Sequence, residues 1–190
     1  MRWGHHYKGI KETEAKPGEW IAISGIGGLG QLAVQYAKAM GLHVAALDVT
    51  EEKLALARAS GAEVMVNAKA PDAAEQIVKQ TAGGAHGVLV TAVSPAAFAQ
   101  ALKMVRRKGT VSLVGLPPGE FRTPIFDVVM NRITVRGSIV GGRMDLAEAI
   151  AFAAEGKVRA EIQKLKLEDI NQVFADLKAG TVQGRAVLMM

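Results

Sequence analysis

Trp20-Ile21-Ala22-Ile23-Ser24-Gly25-Ile26-Gly27-Gly28-Leu29-Gly30-Gln31-Leu32-Ala33-Val34 is the stretch whose reading decides the fold. A short apolar run stops at a glycine cluster, and a helical pattern starts directly after it. Gly25, Gly27 and Gly30 satisfy the spacing G-x-G-x-x-G. In such a turn the first glycine permits a tight reversal and the second lets a pyrophosphate approach the backbone. The third lets the helix pack closely on its strand. The phosphates would sit at the positive end of the helix beginning near Gly28, where backbone N–H groups lack intrahelical partners. A glycine turn alone is weak evidence. Here a strand precedes it, a helix follows it, and an acid closes the next apolar run.

That acid is Asp48, at the end of His43-Val44-Ala45-Ala46-Leu47-Asp48. It stands about 20 residues beyond the glycines, where the fingerprint places a carboxylate that bonds the adenosine ribose hydroxyls. A carboxylate there also repels a 2′-phosphate, so NAD is favoured over NADP. The competing structural role for Asp48 is to cap the helix that starts near Thr50.

Working outward, the alternation of strand and helix is regular. The pattern predicts strands over 20–25, 43–48, 63–67, 87–93, 110–115 and 133–140. Helices are predicted over 28–40, from Thr50 to Gly61, over 72–81, from Pro95 to Lys108, over 124–130 and over 144–154. Short apolar strands separated by helices define an α/β fold with a Rossmann-type, doubly wound parallel sheet. Residues 20–156 form this nucleotide-binding domain. Residues 157–190 carry a helix over 170–178 and a final apolar run over 186–190, and read as a helix-strand appendage. Residues 1–19 have no clear period before the Pro17-Gly18 turn. His5 and His6, adjacent and with no third ligand in sight, read as a solvated or frayed terminus rather than a metal site.

Composition narrows the function. The chain has 190 residues, of which 49% are hydrophobic, which suits one well-packed domain. It has no cysteine, which excludes disulfides and thiolate metal sites. No apolar run approaches the ~18 residues of a membrane span and no signal-peptide pattern opens the chain, so a cytoplasmic protein without membrane contacts is expected. The formal charge is +5, but the basic residues do not form a nucleic-acid footprint. Arg106-Arg107-Lys108 is a short cluster read at a helix end, where cations favour the dipole, and Lys164 and Lys166 are followed by Glu168 and Asp169.

Five segments carry a family resemblance: Tyr7-Lys8-Gly9-Ile10-Lys11, the glycine turn, Val90-Thr91-Ala92-Val93-Ser94, Val114-Gly115-Leu116-Pro117 and Gly137-Ser138-Ile139-Val140-Gly141. Together they resemble the cofactor domain of zinc-dependent alcohol dehydrogenases of the medium-chain superfamily, bacterial ethanol-active type. The resemblance implies that Gly25, Gly27, Gly28, Leu29 and Gly30 hold the pyrophosphate of NAD and that Asp48 and Lys53 meet the adenosine ribose. It implies that Val93, Val114, Gly115, Leu116, Ile139 and Val140 line the nicotinamide side, and that Arg185 reaches the pyrophosphate. It also implies pairing of two copies into a homodimer through the sheet edge near 121–140.

The resemblance breaks at the N-terminus. Family enzymes carry a lobe that holds zinc through Cys, His and Cys, and the family pattern before Tyr-Lys-Gly resembles Cys-Ala-Gly-Val-Thr-Thr. Here those positions read Met1-Arg2-Trp3-Gly4-His5-His6, with Met1 where the last zinc ligand would stand. Codons for the family pattern read one base earlier can encode Met-Arg-Trp-Gly-His-His, so a frameshift is one origin of this start; an engineered leader is the other. The nucleotide sequence decides between them. The expectation is a truncated NAD-binding portion with no zinc and no zinc-dependent activity. Two alternatives stay open: a zinc-independent oxidoreductase on another substrate, and an interaction module that retains the fold.

Overall fold

The computed structural model describes residues 3–182 and 184–189. Met1, assigned above to a zinc-ligand position, and Met190, the end of the final apolar run, lie outside the described residues. The chain forms α1 (Trp3–Lys11), β1 (Trp20–Ser24), α2 (Gly30–Ala39), β2 (His43–Asp48), α3 (Glu51–Ala59), β3 (Val64–Asn67), α4 (Ala73–Gln80), β4 (Ala85–Val90), α5 (Pro95–Met104), β5 (Val105–Leu113), α6 (Ile125–Asn131), β6 (Thr134–Gly137) and α7 (Arg143–Ala154). β7 (Ile162–Lys166), a 3₁₀ turn, α8 (Ile170–Ala179) and β8 (Arg185–Met189) follow.

Six strands form one sheet in the order β3-β2-β1-β4-β5-β6, and every adjacent pair is parallel. The central strands β2, β1 and β4 are buried on both faces, as their continuous apolar runs require, whereas β6 at the edge is largely exposed. The two-residue period divides them between two cores. Ile21 and Ile23 of β1, Val44 and Ala46 of β2 and Leu89 of β4 face one core, with residues of α1, α2, α3 and α7. Ala22, Ala45, Leu47, Val88 and Val90 face the other, with residues of α4 and α5 and with Val128 of α6 packed against it. β7 and β8 pair in parallel as a separate two-stranded sheet.

Three readings of the sequence are corrected. The helix expected to reach Lys108 ends at Met104, and β5 begins at Val105. Val105 is buried and pairs with Ala85, the register then shifts, and Lys108 takes a left-handed φ of 62°. Arg106-Arg107-Lys108 therefore sits in a bulged strand and does not complement a helix dipole. Strand β7 was not expected, because its Ile-Gln-Lys-Leu-Lys is largely exposed and pairs only with β8. Finally, the stretch Trp3–Lys11, with His5 and His6, is a helix rather than a solvated or frayed end.

Helix α1 is held on the domain by packing and charge. Tyr7 and Ile10 are buried in the core, and Tyr7 packs against Tyr36 and Phe152 with ring centroids 5.7 and 5.8 Å away. Lys11 Nζ donates to Asp145 at 2.9 Å and to Glu148 at 2.7 Å, tying α1 to α7. Asp145 also accepts the backbone N–H of Gly142 at the start of α7, at 2.8 Å. These contacts keep the Asp145 and Glu148 carboxyls below their usual range.

His6 is only 1% exposed, and neither ring nitrogen has a hydrogen-bond partner among the described residues. Burial, then the positive charges of Arg185 and His5, push its pKa from 6.5 down to about 3. The folded protein holds this imidazole neutral, whereas the unfolded chain takes up a proton below pH 6.5. The resulting stability is present above that pH and is lost as pH falls from there towards 3. His6→Leu should therefore raise unfolding free energy by about 1–3 kcal/mol at neutral pH, the cost of a buried unpaired polar group. The gain should be larger in acid, as measured by urea unfolding at about pH 8 and about pH 5. Equal stability of the two proteins at both pH values would contradict this.

Candidate functional site

The site is built where β1 and β4 lie side by side and their following helices leave to opposite faces of the sheet. In an open parallel sheet this is where a crevice forms, outside the carboxyl ends of the strands. Beyond β1 the chain turns at Gly25, whose N–H donates to Leu47 O of β2 at 2.8 Å. Beyond β4, the N–H groups of Thr91 and Ala92 both donate to Ser24 O, at 2.9 and 3.0 Å.

The three motif glycines are glycine for different reasons. Gly25 has φ of +94°, and a Cβ there would meet Ala92 N at 2.7 Å. A Cβ on Gly30 would stand 1.8 Å from Gly25 O, so only glycine lets α2 start this close to β1. Gly27 has no atom within 4 Å of where its Cβ would be. Nothing among the described residues would clash with a side chain there, and its lack leaves backbone open to the crevice. Helix α2 then begins with Leu29 as its N-cap and no side-chain capping bond, and in its first turn the N–H of Gln31 donates back to Gly27 O at 3.0 Å.

Asp48 is 6% exposed at the end of β2. Its Oδ2 accepts the N–H of Ile26 in the glycine turn at 2.6 Å, and its Oδ1 accepts the N–H of Val49 at 2.7 Å. The residue at the cap of α3 is Thr50. Asp48 thus braces the glycine turn against β2, and its two oxygens retain acceptor capacity because a carboxylate offers about four lone-pair sites. Lys53 Nζ stands 3.9 Å from Asp48 Oδ1 and is partly buried.

Gly25, Gly27, Gly28, Leu29, Asp48, Lys53 and Val93 line one cavity of about 660 Å³. Gly30 lies beneath the turn. Arg185 lies in an adjoining cavity of about 390 Å³ that it shares with Gly27, Gly28 and Lys53, walled by Phe174 and Leu177 of α8. Arg185 runs against the turn itself: a Cβ on Gly28 would come 3.1 Å from its Nε. Val114, Gly115, Leu116, Ile139 and Val140 do not line either cavity. They follow β5 and β6, and Leu116 and Ile139 are largely exposed. Gly115 is close-packed, since a Cβ there would meet Ala92 O at 2.3 Å. Val140 takes a left-handed φ of 51°, a strained conformation for a β-branched residue, of a kind that clusters at functional sites. A larger cleft of about 810 Å³ lies elsewhere, between α2, α3 and the segment around 157–163. It holds none of these residues, and it has neither the glycine turn nor a carboxyl end of a strand of the six-stranded sheet.

Thr91 is the residue that sequence reasoning did not single out as part of the site. Its hydroxyl donates to Gly25 O at 2.6 Å and so fixes the turn from the β4 side. Its signals were its place directly after a buried strand and within one of the five segments that carry the resemblance, and neither distinguishes a hydroxyl that bonds a neighbouring loop from one that faces water.

Residues 28–155 match the family model described as zinc-binding dehydrogenase. An alcohol dehydrogenase of Rhizobium meliloti is 60% identical over 182 residues, which are 96% of this chain and 53% of that protein. The crystal structure of the alcohol dehydrogenase from the archaeon Aeropyrum pernix superposes with a TM-score of 0.92 at 37% identity, covering 100% of this chain and 56% of that one. An acetophenone reductase of Geotrichum candidum, solved in complex with NAD, superposes with a TM-score of 0.84 at 29% identity, covering 97% and 52%. The chain spans about half the length of the relatives it matches. It belongs to the zinc-binding dehydrogenase family, in which it resembles the nucleotide-binding portion of the alcohol dehydrogenases.

Proposed function

We propose that this chain binds NAD(H) in the crevice over β1 and β4. The observation that carries the proposal is Gly27, glycine where no protein atom demands it, beside an uncapped helix start. Gly27, Gly28, Leu29 and the first turn of α2 would hold the pyrophosphate, with Arg185 supplying a cation from the other side. Asp48 would accept the ribose hydroxyls and Lys53 would donate to them. Val93, Val114, Gly115, Leu116, Ile139 and Val140, following the strands of the same end of the sheet, would face the nicotinamide. The bound nicotinamide supplies a hydride acceptor or donor. NADH titrated into the protein and followed by calorimetry should saturate in the millimolar range or below. Asp48→Ala should weaken NAD binding about tenfold or more, and it should narrow the preference for NAD over NADP. Absence of saturation by millimolar NADH with the protein folded would contradict the proposal.

The family name implies zinc, and the residues present do not fit it. A catalytic zinc takes about three protein ligands and keeps one open position. The sequence has no cysteine, and among the described residues no group of three or more His, Cys, Asp or Glu is placed to hold a metal. We therefore propose that this chain alone does not perform zinc-dependent alcohol oxidation. Stoichiometric zinc after dialysis together with chelator-sensitive oxidation of ethanol would overturn this; the expected result is neither.

Two copies pair through the β6 edge in this proposal. Among the described residues β6 bonds only to β5, and Val135 on it is 40% exposed. Beside it, Ile125, Phe126, Val129 and Met130 of α6 are largely exposed. A bare strand edge next to an apolar patch favours association, and a two-fold axis uses the same patch twice. Light scattering at micromolar concentration should give a dimer mass, shifted towards the monomer by Val135→Lys. A mass unchanged by that substitution would show that this edge does not mediate association.

A further inference from the structure

A further cavity, of about 280 Å³, lies under the β7–β8 sheet. His6 reaches it from α1, Leu32 from α2, Ile162 from β7, and Arg185 and Val187 from β8. Its walls are otherwise apolar, with Leu32 almost fully buried and Ile162 half exposed. Into this apolar space the fold brings two polar groups, an imidazole with no hydrogen-bond partner on either ring nitrogen and a guanidinium. A buried imidazole such as that of His6 is normally satisfied by protein or by a bound molecule.

We propose that this cavity binds a short-chain carboxylate, with the carboxylate between the Arg185 guanidinium and a ring N–H of His6 and the hydrocarbon tail against Leu32, Ile162 and Val187. The chemistry selects this class. A neutral imidazole donates one N–H and a guanidinium donates several, which matches a single carboxylate. A free phosphate carries more charge and more acceptors than one cation and one imidazole N–H can satisfy among apolar walls. An alcohol of the same length brings no charge to the guanidinium and accepts from it only as a neutral oxygen. The site is distinct from the crevice over β1 and β4. It shares Arg185 with the cavity beside the glycine turn, so a nucleotide pyrophosphate and the carboxylate would compete for one guanidinium.

The test is methyl NMR of the full chain, without nucleotide, titrated with sodium butyrate at constant ionic strength. The methyl signals of Leu32, Ile162 and Val187 should shift together and saturate in the millimolar range, as fits a ligand of about six non-hydrogen atoms. 1-Butanol, which has the tail without the charge, should bind at least about tenfold more weakly. His6→Leu should remove at least about tenfold of the butyrate affinity. Its fold is checked by circular dichroism and is expected to be more stable than the parent. His6→Gln, which retains a donor, should recover part of the affinity. Non-saturating shifts, equal binding of butanol, or undiminished butyrate binding by folded His6→Leu protein would each overturn the proposal.

Discussion

The contact between Gly30 and the carbonyl oxygen of Gly25 is the constraint on which the rest depends. A Cβ at Gly30 would come within 1.8 Å of that oxygen, so the helix can begin directly over the end of β1 only if position 30 is glycine. The carbonyl of Gly25 is held from below by the Thr91 hydroxyl at the end of β4. The N–H of Gly25 is held by Leu47 O, and that of Ile26 by Asp48, both at the end of β2. One turn thus ties together the ends of the three central strands. Its close packing leaves Gly27 and Gly28 on the crevice side with backbone exposed.

That turn was legible in the sequence because it rests on local rules. Glycine spacing, the period of the flanking runs and the acid at the next strand end are all properties of neighbouring residues. The same holds for most of the sheet, whose strands are continuous apolar runs bounded by glycine and proline. What escaped was decided by tertiary contact. Helix α1 carries no strong apolar period, but Tyr7 and Ile10 find Tyr36 and Phe152, and Lys11 finds Asp145 and Glu148 more than a hundred residues away. Strand β7 shows little apolar alternation and exists because β8 lies beside it. Arg106-Arg107-Lys108 looked like a helix end, whereas Val105 had already turned into the sheet against Ala85.

The site divides in the same way. Gly25, Gly27, Gly28, Leu29, Gly30 and Asp48 are close in the fold because adjacent strands bring them there, and their grouping follows from the motif. Arg185 reaches the turn from β8, some 155 positions along the chain from Gly30, and no local pattern places it there. It entered the reading only through the resemblance to a family. Thr91, which secures the turn, was passed over because a hydroxyl carries no spacing signature. His6 was assigned to solvent because adjacent histidines at a terminus have no period. Its burial is a consequence of α1 lying on α2 beneath β8.

The central claim is that a dinucleotide lies against the glycine turn and not in the larger cleft between α2, α3 and residues 157–163. Backbone amide NMR shifts on addition of NADH test it most directly. The account predicts that the largest shifts fall on Gly27, Gly28, Leu29 and Val49, with the amides of Lys157, Arg159 and Gln163 little changed. Shifts concentrated on those last residues, with the glycine turn unmoved, would contradict it.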